Sequence, residues 1–228
     1  MTRRLTIALA GALILPALLA ACGGSSGSKG TTGTNGSATT AAAPKGGCTT
    51  VAAPAKLAAR TAKKPTAKLD RSKVYDVTMV TNCGSFTIRM DQAQSPNATA
   101  SFVSLAQQGF FDKTIFHRIV PGFVIQGGDP TATGTGGPGY STVDKPPRNA
   151  SYTHGVVAMA KTATEPAGTA GSQFFVVTVA NAGLPPDYAI IGKVVKGLPV
   201  VDHIGTLGDA SQQPTQVVEI QQATVKTG

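Results

Sequence analysis

The stretch that decides the fold runs from Ile115 to Pro130 and reads IFHRIVPGFVIQGGDP. It begins with a β-type run, Ile115 to Val120. Pro121-Gly122 then predicts a turn, because proline fixes φ and glycine accepts the positive φ that a type II turn needs. A second short run, Phe123 to Gln126, is followed by two glycines, which let the backbone bend. The stretch therefore predicts two neighbouring strands joined by a tight connection.

Two polar side chains, Arg118 and Gln126, stand on these strands among apolar residues. Phe116, Arg118 and Val120 are predicted to share one face of the first strand. A two-residue turn would pair Arg118 with Ile125, whereas a three-residue loop would pair it with Gln126, and spacing alone leaves both open. A guanidinium on an apolar sheet is unfavourable without a partner or a task. Arg118 is thus either a structural residue bonded to carbonyls or part of a site.

The run FHRIVPGFVIQGGD, Phe116 to Asp129, resembles the signature of the cyclophilins, the cyclosporin-type peptidyl-prolyl cis-trans isomerases. Two later stretches agree in order and spacing: Met159-Ala160, and GSQFF at Gly171–Phe175 followed by IGKV at Ile191–Val194. The resemblance spans roughly Val74 to Lys226. It implies a mostly β fold, a closed eight-stranded antiparallel barrel capped by two α-helices, with Arg118 facing Gln126.

The same resemblance implies an enzyme that accelerates rotation about X-Pro peptide bonds. By the mechanism proposed for the family, Arg118 would stabilise the pyramidal proline nitrogen, and Gln126 would orient Arg118 and the substrate carbonyl. The backbone of Ala160 and Lys161 would hold the peptide extended, and Gln173 would line the adjoining groove. The proline slot would be walled by Phe123, Val124, Phe175 and Leu184.

The chain departs from the family pattern at several positions. It has no tryptophan, and the frequent tryptophan of the family falls at Gly183, which argues against tight cyclosporin binding. Tyr188 stands where many members have histidine, and its ring could still close the slot. Lys161 replaces a common asparagine, and the loop from Thr162 to Ala170 is longer than usual. The longer loop would alter the groove next to the slot.

Local patterns predict the remaining elements of a domain over residues 74–228. Apolar residues alternate from Tyr75 to Met79 and from Phe86 to Met90, which predicts a hairpin with one buried face. Ser95-Pro96 predicts a helix start, with serine as N-cap and proline at the first helical position. A second helix is expected at Pro199–Ile204. A last strand near Val217–Val225 is expected to close the sheet.

The N-terminus resembles a bacterial lipoprotein leader. Arg3 and Arg4 precede an interrupted apolar run that is too short for a comfortable membrane span. Leu-Ala-Ala-Cys at Leu19–Cys22 resembles a lipobox. Residues 1–21 are therefore predicted to be a signal peptide and Cys22 the lipid attachment site, with an ordinary cleaved secretory signal as the alternative. The protein is expected to be exported and lipid-anchored on the outer face of the cell membrane.

Residues 22–73 are predicted to form a disordered tether, rich in Gly, Ser, Thr and Ala and then basic. A short helix at Ala55–Lys64 is possible before Pro65. Residues 1–73 hold eleven Lys and Arg against one acidic residue, whereas residues 74–228 hold nine against ten. The near-neutral domain argues against a nucleic-acid partner. The basic segment either contacts anionic lipid or cell-wall polymer or is a solvated spacer.

Cys48 and Cys83 are the only cysteines besides Cys22. In an exported protein they could pair and fix the linker to the barrel, the alternative being a free thiol at Cys83. Gly134–Gly139 matches the dinucleotide pattern G-x-G-x-x-G. Pro138 forbids the helix that this motif requires, so a surface loop beside the proline site is expected.

No cofactor or metal is predicted. Rotation about an amide breaks no σ-bond, and the three histidines, His117, His154 and His203, show no ligand spacing. We expect a monomer whose partners are proline-containing peptides and unfolded exported proteins. The alternative function is a non-catalytic module, a chaperone or scaffold that binds proline peptides. The presence of both Arg118 and Gln126 favours the enzyme, because binding alone needs only the apolar slot.

Overall fold

The alternation of apolar residues builds the predicted hairpin. The computed structural model describes residues 47–54 and 57–228. In it, β1 (Tyr75–Thr81) pairs with β2 (Gly84–Met90), with Val77 opposite Ile88 and Met79 opposite Phe86. These four side chains are almost wholly buried, whereas the residues between them are more exposed. One face of the hairpin thus forms part of the main core.

The remaining elements follow β2 in chain order. They are α1 (Pro96–Gln107), β3 (Thr114–Ile115), β4 (Arg118–Val120), β5 (Val124–Gly127), β6 (Thr142–Val143), β7 (Val156–Met159), β8 (Thr169–Ala170), β9 (Phe174–Val177), β10 (Ile190–Lys196), α2 (Leu198–Gly205) and β11 (Glu219–Thr227).

Nine strands form one antiparallel sheet in the order β3-β11-β1-β2-β10-β7-β9-β5-β4, and β6 pairs separately with β8. The sheet curls into a half-barrel, so the predicted closed eight-stranded barrel is wrong. The two edge strands, β3 and β4, are consecutive pieces of one passage of chain. β3 pairs with β11 and β4 pairs with β5, and a strand cannot form a ladder with its own continuation.

The connection between β4 and β5 resolves the two pairings that spacing left open. Val120 pairs with Val124, and Arg118 pairs with Gln126 across a three-residue loop. The prediction that Phe116 shares a face with Arg118 and Val120 fails, because Phe116 and the next residue lie between the strands. Phe116 packs in the main core, and Val120 packs against a second apolar cluster.

Both predicted helices are present, with shifted ends. The first starts after Ser95 as expected, but the Ser95 side chain makes no capping hydrogen bond. Its place is taken by the Asp144 carboxylate, which accepts from the backbone N–H groups of Asn97 at 2.8 Å and Ala98 at 2.6 Å. The second helix and the last strand are each one or two residues displaced from prediction. β11 pairs with β1 on one side and with β3 on the other.

Residues 57–73, assigned from the sequence to the tether, lie along the surface of the domain. Residues 57–64 form no helix, because the Ala62 N–H donates to the Pro138 carbonyl at 3.0 Å instead of to a helical carbonyl. Ala62 and Leu69 pack against the main core. The predicted signal peptide, Cys22 and the Gly/Ser/Thr-rich part of the tether up to residue 46 lie outside the described residues. Within residues 47–54 and 57–228, no helix is long and apolar enough to cross a membrane.

A disulfide joins Cys48 to Cys83 in the structure. The chain beside it is also fixed by hydrogen bonds: the Thr49 N–H donates to the Asn82 carbonyl at 2.8 Å, and the Asn82 side-chain amide donates to the Thr49 carbonyl at 2.8 Å. Cys83 is buried in the main core. The segment before the domain is thereby attached to the turn between β1 and β2.

We predict that reduction of this disulfide lowers the free energy of unfolding. The two cysteines are 35 residues apart, and cross-linking a loop of this length contributes about 3–4 kcal/mol in the chain-entropy model. Denaturant unfolding with and without a thiol reductant measures the difference. Cys48→Ser is the control, since the reductant should leave its midpoint unchanged. Equal midpoints for the wild-type protein, with two titratable thiols at Cys48 and Cys83, would contradict the prediction.

Candidate functional site

Arg118 and Gln126 meet on adjacent strands as partners in a chain of hydrogen bonds. Arg118 Nη1 donates to Gln126 Oε1 at 3.2 Å. Gln126 Nε2 donates to Gln173 Oε1 at 3.0 Å, and Gln173 Nε2 donates to the Gly136 carbonyl at 3.0 Å. Each amide is fixed at both ends, so the orientation of the guanidinium is fixed from this side.

Gln212, which the sequence analysis did not identify, holds Arg118 from the other side. Its Oε1 accepts from Arg118 Nε at 2.7 Å, and its backbone carbonyl accepts from the Ile119 N–H at 3.0 Å. Gln212 has a φ of 65°, which is uncommon for a residue other than glycine. It lies 94 residues from Arg118 in sequence, and no local pattern identifies it.

The residues predicted to wall the proline slot come together in one apolar cluster. Phe175 is the direct partner of Gln126 in the β5–β9 ladder, so the cluster lies beside the amide that binds the guanidinium. Val124 and Phe175 are buried, whereas Phe123, Leu184 and Tyr188 are partly exposed. The full cluster comprises Val124, Tyr152, Val156, Ala158, Phe175, Val177 and Ile190, with partly buried Val120, Phe123, Ala150, Ala160, Val179, Ala182, Leu184 and Tyr188 against it.

Tyr152, also not identified from the sequence, fixes Tyr188. The Tyr152 hydroxyl donates to the Tyr188 carbonyl at 2.8 Å and accepts from the Tyr188 N–H at 3.0 Å. Burial raises the pKa of the Tyr152 phenol, while the bond to the Tyr188 backbone lowers it in part. The rings of Tyr188 and Phe175 meet edge to face at 5.5 Å. Tyr188 is therefore held at the border of the apolar cluster.

Ala160 and Lys161 lie beside this border. The Ala160 N–H donates to the Gln173 carbonyl at 2.9 Å, so a bound peptide would meet Ala160 through its carbonyl. Lys161 Nζ donates to the carbonyls of Thr162 at 3.2 Å and Glu165 at 3.1 Å, and lies 5.6 Å from the centre of the Tyr188 ring. The side chain of Lys161 thus holds the long loop that follows it.

A cavity of about 420 Å³ is lined in part by Gln126 and Gln173, and it borders the apolar cluster at Ala160. We call it the groove. One wall is the glycine-rich segment Gly134–Ser141, and Ala160 and Lys161 also line the cavity. Within residues 47–54 and 57–228, no three His, Cys, Asp or Glu side chains lie close enough together to hold a metal ion.

The buried Asp129 carboxylate binds the glycines that match the dinucleotide pattern. It accepts from the N–H groups of Gly134 at 2.7 Å and Gly136 at 3.0 Å, and from the N–H and hydroxyl of Thr131, both at 2.7 Å. A Cβ at Gly136 would collide with this carboxylate. Burial raises the pKa of Asp129, but these hydrogen bonds outweigh it and leave the pKa below its usual value. The backbone donors of this segment thus serve Asp129, not a phosphate.

Several known proteins of one family are similar to this chain. The family model for cyclophilin type peptidyl-prolyl cis-trans isomerases matches residues 76–225. The chain is 34% identical over 147 residues to peptidyl-prolyl cis-trans isomerase CYP18-2 of Arabidopsis thaliana, covering 64% of this chain and 90% of that protein. It is also 34% identical over 152 residues to peptidyl-prolyl cis-trans isomerase-like 1 of Aspergillus oryzae, covering 66% and 94%.

A crystal structure of a Cryptosporidium parvum cyclophilin type peptidyl-prolyl cis-trans isomerase, determined in the presence of the dipeptide Ala-Pro, has the same fold. It aligns with a TM-score of 0.61 and 32% identity, covering 66% of this chain and 98% of that one. The fold and site therefore define a peptidyl-prolyl isomerase. The chain belongs to the cyclophilin family.

We predict that Asp129→Asn destabilises the groove wall. The substitution removes the charge that four donors share, and loss of a charged hydrogen-bond partner at a buried site costs about 1–3 kcal/mol of unfolding free energy. Asp70→Asn is the matched control, because Asp70 accepts from the Ser72 N–H and hydroxyl in an exposed turn and should change stability by less than about 0.5 kcal/mol. Equal losses in the two variants, measured by denaturant unfolding, would contradict the role given to Asp129.

We predict that His117 makes the stability of the protein depend on pH. It is buried, and neither ring nitrogen has a hydrogen-bond partner among the described residues. Burial lowers the pKa of His117, Asp129 opposes this and Arg118 adds to it. The unfolded state therefore binds more protons below its pKa of about 6.5, and the unfolding free energy falls as the pH decreases below that value.

The decrease in unfolding free energy between about pH 6.5 and 5 that is due to His117 should be absent in His117→Gln. His203→Gln, at an exposed histidine, should retain it. Unfolding free energies measured at several pH values give the slopes, and parallel slopes for the wild type and His117→Gln would be the contrary result.

Proposed function

We propose that Arg118 is the catalytic residue of this isomerase and that it donates a hydrogen bond to the proline nitrogen of the substrate as the amide twists. A guanidinium has five N–H donors. Gln126 and Gln212 engage the donors at Nη1 and Nε, and no acceptor among the described residues engages Nη2. The fixed orientation of Arg118 beside an apolar cluster is the observation that carries this proposal.

Cis-trans isomerisation requires little chemistry beyond such a hydrogen-bond donor. Rotation about a peptide bond has a barrier of about 18–20 kcal/mol, because amide resonance must be broken. When the amide twists, the lone pair returns to the nitrogen, which becomes a better hydrogen-bond acceptor. A donor that is preorganised for the twisted form stabilises the transition state more than the ground state. No bond is made or cleaved, and the Arg118 proton stays on Arg118.

The apolar cluster holds the proline ring in this proposal. Phe123, Val124, Phe175 and Leu184 wall the slot, and Tyr188, fixed by Tyr152, closes one side. Ala160 and Lys161 hold the peptide extended, and Gln173 borders the groove that receives the preceding residues. Binding the flanking peptide rigidly while the proline ring sits in an apolar slot leaves the X-Pro bond as the one able to rotate.

We further propose that the protein is a bacterial lipoprotein, exported and attached to the outer face of the cell membrane through Cys22, where it assists the folding of exported or envelope proteins as a monomer. The support is the leader sequence, with Arg3 and Arg4 before an apolar run that ends at Leu-Ala-Ala-Cys. The disulfide that joins Cys48 to Cys83 is consistent with an oxidising compartment. Mass spectrometry of Cys22 in membrane fractions tests this proposal.

We predict that Arg118→Ala retains the fold but reduces isomerisation of an Ala-Pro peptide. One charge-assisted hydrogen bond contributes about 1.5–3 kcal/mol, and each 1.36 kcal/mol is tenfold in rate, so the loss should be roughly ten- to a few-hundredfold. The rate is measured by NMR exchange. Arg89→Ala is the control, because Arg89 forms an exposed ion pair with Asp76. An unchanged rate in Arg118→Ala would remove Arg118 from the mechanism.

Binding measured on the same variant separates the enzyme from a non-catalytic module. If Arg118 acts on the transition state, Arg118→Ala should bind the peptide nearly as well as the wild type while turning it over more slowly. A wild-type protein that binds the peptide and does not accelerate its exchange would establish the binding module instead.

A further inference from the structure

The segment of residues 57–73, which we call the strap, lies outside the stretch that matches the family and is hydrogen-bonded to the groove wall. The Ala62 N–H donates to the Pro138 carbonyl at 3.0 Å, and Lys64 Nζ donates to the Ser141 carbonyl at 2.8 Å. Pro138 and Ser141 both line the groove. The strap and the groove thus share one thin wall, Gly134–Ser141.

This wall needs support because of its sequence. It contains four glycines in six residues, GTGGPG at 134–139, and glycine loses more conformational freedom on ordering than any other residue. Asp129 fixes the first part of the wall, through Gly134 and Gly136. The second part, from Pro138 onward, receives the hydrogen bonds of the strap. Each half of the wall therefore has its own brace.

The strap is itself attached firmly at Arg60. Arg60 Nη1 donates to the carbonyls of Phe110 at 2.6 Å and Asp112 at 2.8 Å, in the turn that follows α1. Ala62 and Leu69 pack against the main core. The strap thus joins the groove wall to a rigid part of the domain.

The braced wall connects to the site by hydrogen bonds. Gly136, two residues before Pro138, accepts from Gln173, which in turn binds Gln126. The position of the wall determines both the width of the groove and the support of the amide beside Arg118. We propose that the strap is a specificity element: Arg60 and Ala62 are positioning residues that act through Pro138 and set the affinity for peptides whose residues before X-Pro enter the groove. This inference rests on the proposed function.

Two peptides distinguish an effect on binding in the groove from an effect on binding in the proline slot. One is a capped Ala-Pro dipeptide, too short to enter the groove, and the other carries three bulky residues before Ala-Pro. In the full-length protein, Arg60→Ala should raise KM for the longer peptide about three- to tenfold, the size of one hydrogen bond. Its kcat, and its rate on the dipeptide, should stay within about twofold of wild type. Arg60→Lys, which retains a donor, should restore part of the loss.

Lys63→Ala is the matched control. It removes one positive charge three residues from Arg60, at an exposed side chain that makes no hydrogen bond to the described residues, and it should behave as the wild type. Equal losses on both peptides in Arg60→Ala would make the strap merely structural, and no loss on either would also overturn the proposal. A wild-type protein that accelerates neither peptide would instead refute the proposed function.

Hydrogen exchange supplies a measurement that does not depend on turnover. The backbone amides of Gly134 and Gly136, which donate to Asp129, should exchange faster in Arg60→Ala and in Ala62→Pro, which deletes the N–H that binds Pro138, whereas the amides of β1 and β2 should not change. If the wall exchanges at the wild-type rate in both variants, the strap does not brace it.

Discussion

The arrangement of the whole site depends on one row of hydrogen bonds, from Gln212 through Arg118 and Gln126 to Gln173. A guanidinium at the border of an apolar cluster is unfavourable without hydrogen-bond partners. Gln212 and Gln126 bind two of its nitrogens, and Gln173 holds Gln126. The sheet sets the positions of these residues: Arg118 is paired with Gln126 on the next strand, and Gln126 is paired with Phe175 on the strand after it. The same pairing places Gln126 between the charged donor and the aromatic ring of Phe175, so fold and chemistry are set by one set of strand neighbours.

Much of this could be predicted from the sequence because it is local. The proline and glycine between Val120 and Phe123 indicate a turn, and alternation of apolar residues indicates strands, so the hairpins are predictable. The resemblance then supplied the partner that spacing could not, Gln126 facing Arg118. The closed barrel was the main error in the fold, because the two edge strands are halves of one passage of chain and this cannot be read from periodicity.

What escaped the sequence analysis are contacts over long separations made by residues of ordinary type. Asp144 accepts from the start of α1 across 46 and 47 residues, and Gln212 binds Arg118 across 94. Their neighbours in sequence carry no pattern that signals such a role. The strap was interpreted as a tether because lysine and alanine are typical of spacers, yet a few donors, chiefly on Arg60 and Ala62, fix it to the domain. Amino-acid composition describes only the average character of a segment. The conformation of the strap is instead decided by a few specific hydrogen bonds.

In the proposed mechanism Arg118 and Gln126 act as one unit, in which the amide contributes by orienting the guanidinium. A double-mutant cycle of Arg118→Ala and Gln126→Ala, followed by NMR exchange of an X-Pro peptide, measures this coupling most directly. If the two side chains act as a unit, the double variant should be about as slow as Arg118→Ala alone. If the losses instead multiply, each side chain acts independently, and the orienting role of Gln126 is contradicted.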